Sequence, residues 1–313
     1  MEKVIAIIGP TAVGKTALSF TLAEHFHTEL ISGDAYQIYR HMNIGTAKPT
    51  ADELQRYRHY LIDIAEPGEP YSAATFCQMA DAAIHEITKK HTIPILVGGT
   101  GLYVQSLLEG YQFGASHADE TARQDAKKTI QSFTTDELKS YITAQTDWQP
   151  ADWHELLANT NRLVRLITAI HMGEGKQFVR ATKADGLVYQ TYVIGLSLPR
   201  DVLYDRIEKR IDMMLEAGWI DEVRQLLAQG ISTDCQAIKA IGYQELAAYL
   251  QGTMPLELAV EQIKKRTRHF AKRQLTWYRR MPYIHWFEKN NYPSEDALIA
   301  DVIHHIPFTK ERI

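Results

Sequence analysis

Apolar residues run without interruption from Val4 to Ile8 and stop at Gly9 and Pro10. A short apolar run bounded by turn residues predicts a strand buried on both faces. Residues 9–14 then read as a turn, Lys15 to about His25 as a helix, and Glu29 to Ser32 as a second short strand. This alternation is the pattern of a parallel α/β sheet. "IPILVGGTG" at 93–101 repeats it, with apolar residues, then glycines, then a helix beginning near Leu102.

From about Gly114 the periodicity changes. The segments 119–132, 135–144 and 152–172 carry helical spacing with no strand candidate among them, between breaks at "GASHAD" (114–119) and "RATKADG" (180–186). A β-rich strand returns at Leu187 to Leu198, and helices follow to about residue 280. The expected architecture is a P-loop NTPase-like parallel sheet flanked by helices. Its core is discontinuous, formed by 1–113 and 187–313, with an all-helical insertion domain at 114–186.

Composition narrows the setting. In 313 residues, 45% hydrophobic and 23% charged, there is material for one large or two modest globular domains. The two cysteines, Cys77 and Cys235, lack the spacing of a disulfide framework or a zinc site. The first residues are too short for a signal-peptide core, and nowhere do 18 uncharged apolar residues run together. A cytoplasmic, monomeric protein with no membrane partner is the simplest expectation. The net charge of −4 conceals one exception: "KKRTRHFAKRQLTWYRR" (264–280) holds eight Lys or Arg and no acid, with Phe270, Trp277 and Tyr278 interleaved. Such a helix can lay a positive stripe along a phosphate backbone, or can simply be a solvated face.

The candidate chemistry begins at "GPTAVGKT", residues Gly9, Pro10, Thr11, Ala12, Val13, Gly14, Lys15 and Thr16. In Gly-x4-Gly-Lys-Thr the glycines let backbone N–H groups converge on phosphate oxygens, the following helix adds the positive end of its dipole, the lysine reaches the outer phosphates and the threonine hydroxyl is placed for Mg²⁺. The motif specifies a phosphate chain without saying which molecule carries it. Asp34 ends the second strand beside this loop, where a carboxylate can accept a proton or cap the next turn. Arg206 and Arg210 share a helix face suited to clamping a leaving phosphate, although Asp205 and Glu208 equally suit a surface ion-pair ladder. Arg162 and Arg165 share a face of an insertion helix, with a plain solvated face as the alternative. Met213 and Met214 read as helix packing. A small-molecule kinase of the shikimate-kinase type, a nucleic-acid-dependent ATPase and a transferase holding a diphosphate leaving group all remain open. The kinase leaves the insertion and the basic helix unexplained, and the ATPase lacks an acidic strand end of the usual kind.

Longer stretches resolve the choice. "GPTAVGKTALS", "ELISGDAYQIYRHMNIGTAKP", "HYLIDIAEPGEPYSAATF", "IPILVGGTGLYVQSLLEG", "NRLVRLI", "RIEKRIDMMLEAGWIDEV", "AIKAIGYQEL" and "TRHFAKRQLTWYRR" resemble, in order and over some nine tenths of the chain, the bacterial tRNA dimethylallyltransferase (tRNA isopentenyltransferase) family. The resemblance implies transfer of a dimethylallyl group from dimethylallyl diphosphate to N6 of the adenine immediately 3′ of the anticodon. It implies that residues 9–16 cradle the donor diphosphate with Mg²⁺ at Thr16, that Asp34 takes the amine proton, and that Arg210 holds the leaving diphosphate. It also implies that Asp34, Ala35, Tyr36, Gln37, Thr100, Arg123, Asn161, Arg162, Arg165, Lys239, Gly242, Tyr243, Lys264, Lys265, Arg266 and Arg273 touch the tRNA anticodon stem-loop, gripped by the insertion and the basic helix. Ala35 stands where the family commonly has serine, Asn161 where it often has glutamine and Lys239 where it often has arginine. The alternative within the same chemistry is an adenylate isopentenyltransferase acting on free nucleotide, which needs neither insertion nor stripe.

Overall fold

The structure, a computed structural model, describes residues 1–111, 113, 120–146, 153–177 and 183–310. The break read at 114–119 and residues 180–182 of the second break lie outside them. Two compact units are present, one formed by Met1–Gly110 with Asp185–Ile313 and the other by Tyr111–Ala184.

The larger unit is built on a six-stranded, all-parallel sheet of β1 (Lys3–Ile8), β2 (Leu30–Ser32), β3 (His59–Tyr60), β4 (Ile95–Gly98), β5 (Gln190–Ser197) and β6 (Ile284–Glu288), in the order β3-β2-β4-β1-β5-β6. Its helices are α1 (Lys15–Phe26), α2 (Ala51–Arg56), α3 (Ala73–Lys89), α4 (Gly101–Leu108), then, past the second unit, α9 (Arg200–Glu216), α10 (Trp219–Ala228), α11 (Tyr243–Leu250), α12 (Leu256–Tyr278) and α13 (Glu295–His305). Val4 to Ile8 are wholly buried, as an unbroken apolar strand between β4 and β5 must be. One contiguous core joins the sheet to Leu18 and Leu22 of α1, Phe76 and Ile84 of α3, and Leu203, Ile207 and Ile211 of α9. Strand order reverses around β1, which opens a crevice at its carboxyl end, the usual ligand position in such sheets.

The smaller unit holds α5 (Glu120–Ser132), α6 (Thr135–Gln145), α7 (Trp153–Ala158) and α8 (Thr160–His171). Leu138, Ile142, Leu156, Leu163, Leu166 and Ile167 form its own core. A capping box starts α6, with Thr134 Oγ1 accepting from Glu137 N and Glu137 Oε2 accepting from Thr134 N at 2.8 Å. The single helix expected over 152–172 is two, because the Asn159 side chain accepts from Arg162 N at 3.1 Å and caps a new helix there.

Two strands escaped the periodicity. β3 is only two residues long, and β6 carries exposed Trp286 on a sheet edge directly after the basic helix. The β-rich segment 187–198 pairs only over Gln190–Ser197.

Candidate active site

The carboxyl ends of β1, β2 and β4 open into a cavity of about 1060 Å³ lined wholly by the larger unit. The phosphate loop forms one wall. Gly14 sits at φ 102°, a left-handed conformation that a side chain resists, and immediately precedes the first turn of α1. Thr11, Ala12, Gly14, Lys15 and Thr16 line the cavity, Val13 is wholly buried beneath the loop, and Gly9 and Pro10 contribute carbonyls. Lys15 Nζ donates to those carbonyls at 3.0 and 2.9 Å. Burial and the neighbouring Arg210 push the Lys15 ammonium down to about 8, with Asp34 opposing. The Thr16 hydroxyl carrier is exposed at the cavity wall.

Asp34 enters from the end of β2. A Cβ on Gly98 would run into the Gly33 backbone, so only glycine allows β2 and β4 to approach closely enough here. Thr100 Oγ1 then reaches Ala35 N at 3.0 Å. Asp34 Oδ1 accepts from Tyr36 N (2.9 Å) and Gln37 N (3.3 Å). Oδ2 has no hydrogen-bond partner among the described residues, so capping and a free acceptor oxygen coexist in one side chain. Gln37 is fixed by Ser32 Oγ, which donates to its Oε1 at 3.0 Å, while its Nε2 donates to Thr46 O and Ala47 O, both at 3.3 Å.

Opposite Asp34, Arg206 and Arg210 of α9 line the cavity. The ion-pair ladder does not involve them: Asp205 pairs with Lys209 at 2.8 Å and Glu208 with Arg268. Among the described residues neither arginine has a carboxylate partner. Burial pulls the Arg210 guanidinium down, Asp34 opposes that shift and Arg206 adds to it. Ile207, Ile211, Met214, Leu102, Phe270 and Trp277 give the same cavity an apolar wall. Met213, read as packing from sequence, lines the cavity and is 58% exposed.

Two buried polar residues of this site went unread in the sequence. Gln274 of α12 accepts from Thr11 N at 2.9 Å and donates to Gly99 O at 2.7 Å, tying the basic helix to the phosphate loop and to the loop after β4. Glu222 of α10 accepts from the backbone N–H of Asn43 (2.7 Å), Ile44 (2.8 Å) and Gly45 (3.2 Å) and from the Tyr243 hydroxyl (2.6 Å). It thereby fixes the segment that presents Gly45, Thr46 and Ala47 to the cavity. Neither has a local motif, because each acts on backbone far away in the chain.

The residues expected to touch RNA separate into groups. Asp34, Ala35, Tyr36, Gln37, Thr100, Lys239, Arg266 and Arg273 line the cavity. Gly242 and Tyr243 do not fit that expectation: both are buried, Gly242 against Trp219 and Tyr243 against Glu222, so they shape the wall from behind. In α12, Lys264 pairs with Asp212 at 2.6 Å and Arg266 with Glu245, whereas Lys265, His269, Lys272 and Arg273, and Arg280 just beyond the helix, are exposed. Arg123 on α5 and Asn161 on α8 are exposed, and Arg162 and Arg165 on α8 are half-buried, all in the smaller unit.

A glycine-lysine-threonine loop on a central parallel strand, with two arginines beside it in the same cavity, belongs to the P-loop class of phosphate-chain sites. Within that class the chain is a member of the IPP transferase family, whose model matches residues 37–281. It is 39% identical to the tRNA dimethylallyltransferase of Anoxybacillus flavithermus over 307 residues, which is 97% of this chain and 96% of that protein. With the enzyme of the same name from Bacillus subtilis it shares 40% identity over 290 residues, 92% of this chain and 91% of the relative. The solved full-length tRNA isopentenylpyrophosphate transferase of Bacillus halodurans superposes with a TM-score of 0.72 at 39% identity, covering 97% of this chain and 95% of that one. A eukaryotic dimethylallyltransferase acting on tRNA superposes with a TM-score of 0.76 at 26% identity, over 100% of this chain and 82% of that one.

Proposed function

We propose that the protein transfers a dimethylallyl group from dimethylallyl diphosphate to the exocyclic N6 of the adenine 3′ of the anticodon in tRNA. The observation that carries the chemistry is the pairing, in one cavity, of an Asp34 oxygen that has no hydrogen bond with two arginines that have no ion pair among the described residues. The phosphate loop and Lys15 bind the diphosphate, and the apolar wall receives the prenyl chain. The N6 lone pair forms the new N–C bond as the allylic C–O bond breaks, and diphosphate leaves with that electron pair. Arg210, with Arg206 beside it, takes up the leaving charge. The amine becomes cationic as it bonds to carbon, and Asp34 Oδ2 accepts its proton.

No trio of His, Cys, Asp or Glu among the described residues is arranged to hold a metal. The Thr16 hydroxyl, with the donor's own phosphate oxygens, suits Mg²⁺, which commonly keeps waters and few protein ligands. When bound, Mg²⁺ supplies charge neutralisation at the diphosphate.

An adenine must leave its stack to enter the cavity, at a cost of a few kcal/mol that backbone contacts elsewhere offset. Lys265, Lys272 and Arg273 on α12, Arg280 just after it, and Arg123, Asn161, Arg162 and Arg165 on the smaller unit, are our candidates for those contacts. Among the described residues no helix is long and apolar enough to cross a membrane. We read the protein as a cytoplasmic monomer.

The test is a transfer assay with radiolabelled dimethylallyl diphosphate and Mg²⁺, offering an unmodified anticodon stem-loop, AMP and ATP side by side. Label entering only the stem-loop supports the reading. Label on AMP moves the acceptor to free nucleotide, and ATP consumption without transfer overturns the donor assignment.

A further inference from the structure

One cation approaches the phosphate loop from outside the motif. Lys289 follows β6, and its side chain is 9% exposed. A Cβ built on Gly14 would lie 2.9 Å from Lys289 Nζ and 3.8 Å from Arg206 Nη2, so two cations crowd the open side of Gly14. Lys289 Nζ also donates to Glu295 Oε1 at 2.7 Å. Glu295 begins α13 and is 48% exposed.

A buried ammonium packed on Gly14 adds to the positive potential that the loop N–H groups and the start of α1 already create. The glutamate beside it subtracts from that potential. The two charges therefore act on an anion at the loop with opposite signs, and the nearer and better buried one prevails.

We propose that Lys289 and Glu295 form a charge-tuning pair for the donor diphosphate: Lys289 is a positioning residue that raises the loop's potential through Gly14, and Glu295 holds it there while limiting how much of its charge the diphosphate feels. This rests on the reading of the loop as a diphosphate site. The bland alternative is a clasp fastening β6 to α13. The two differ in sign, because a clasp is weakened by removing either partner, whereas a tuning pair responds oppositely to the two removals.

The experiment is calorimetric titration of magnesium pyrophosphate into the full-length protein and into Lys289→Met, Glu295→Gln and Lys289→Arg, with thermal melting of each. For a unit charge several ångströms away, partly screened, Lys289→Met should weaken binding roughly three- to tenfold and Glu295→Gln should tighten it roughly two- to fivefold. Lys289→Arg should rescue binding to about twofold of the parent. If Lys289→Met does not fold, tightening in Glu295→Gln still carries the proposal. Affinities that stay unchanged, or move the same way in both single variants, overturn it while leaving the donor site intact. A parent protein that fails to bind pyrophosphate overturns the donor reading and this proposal together.

Discussion

Asp34 uses its two oxygens differently, which makes Asp34→Asn a sharper perturbation than removal of the side chain. Oδ1 accepts from Tyr36 N and Gln37 N. An asparagine carbonyl accepts the same two bonds and caps about as well as aspartate, so the turn should persist and stability should change by no more than about 0.5 kcal/mol. What disappears is the basic Oδ2 and the negative charge facing Lys15 and Arg210. A positioned general base contributes about 10²- to 10⁴-fold, or roughly 3–5 kcal/mol of barrier. Single-turnover transfer to a stem-loop should therefore slow by that factor, while pyrophosphate binding is retained or tightened because a like charge has gone. Asp34→Ala should show the same slowing and also lose about 1–3 kcal/mol of stability, since two backbone donors lose their acceptor. An Asp34→Asn protein within tenfold of the parent rate would mean that the proton leaves by another route. A melting temperature several degrees lower would mean that the turn depends on charge and not on hydrogen-bond geometry.

With its folded value at about 8, below the ordinary 10.5, Lys15 is charged below pH 8 and neutral above it. Donor kcat/KM should fall above pH 8 toward one log unit per pH unit, and Lys15→Arg should remove that limb; in the same alkaline range the unfolded chain holds more protons, so stability contributed by this group rises with pH. Glu222→Ala removes the carboxylate that accepts from three backbone N–H groups and from the Tyr243 hydroxyl, and should cost about 3 kcal/mol or more in denaturant melts while raising the acceptor KM more than the donor KM. Reversing charge at Lys272 and Arg280 should flatten the salt dependence of stem-loop binding by roughly 0.7–0.9 log units per lost phosphate contact, whereas Lys264→Gln should leave the slope unchanged because that ammonium is committed to Asp212.

Local features were legible in the sequence where one segment carried them. The β1 run, the phosphate loop, Asp34 at the end of β2 and the strand ending in Gly98 and Gly99 all sit where apolar patterning and glycine spacing put them. Features that depend on distant backbone were not legible. Gln274 and Glu222 look like ordinary helix-surface polar residues until the fold brings Thr11 or Asn43 to them. The stripe at 264–280 reads as eight equivalent charges, yet α9 and α11 supply the acids that neutralise Lys264, Arg266 and Arg268. β6 was hidden because an edge strand only five residues long, with an exposed tryptophan, lacks a clean alternation.

The position of β1 has a consequence for how the protein is made. β1 leaves the ribosome before both of its sheet partners and ends enclosed by them: Ile5 lies between Ile95 of β4 and Tyr192 of β5. All of Tyr111–Ala184 is synthesised between those two partners. The nascent chain therefore carries the apolar run Val4–Ile8 with one unpaired edge for as long as translation of that segment lasts, the kind of edge that pairs with the wrong chain. Arg210 emerges later still, so the loop that holds the phosphates exists long before the guanidinium that faces it. The unit built from α5 to α8, with a core of its own, can condense during that interval, while the catalytic half waits for the last third of its sequence.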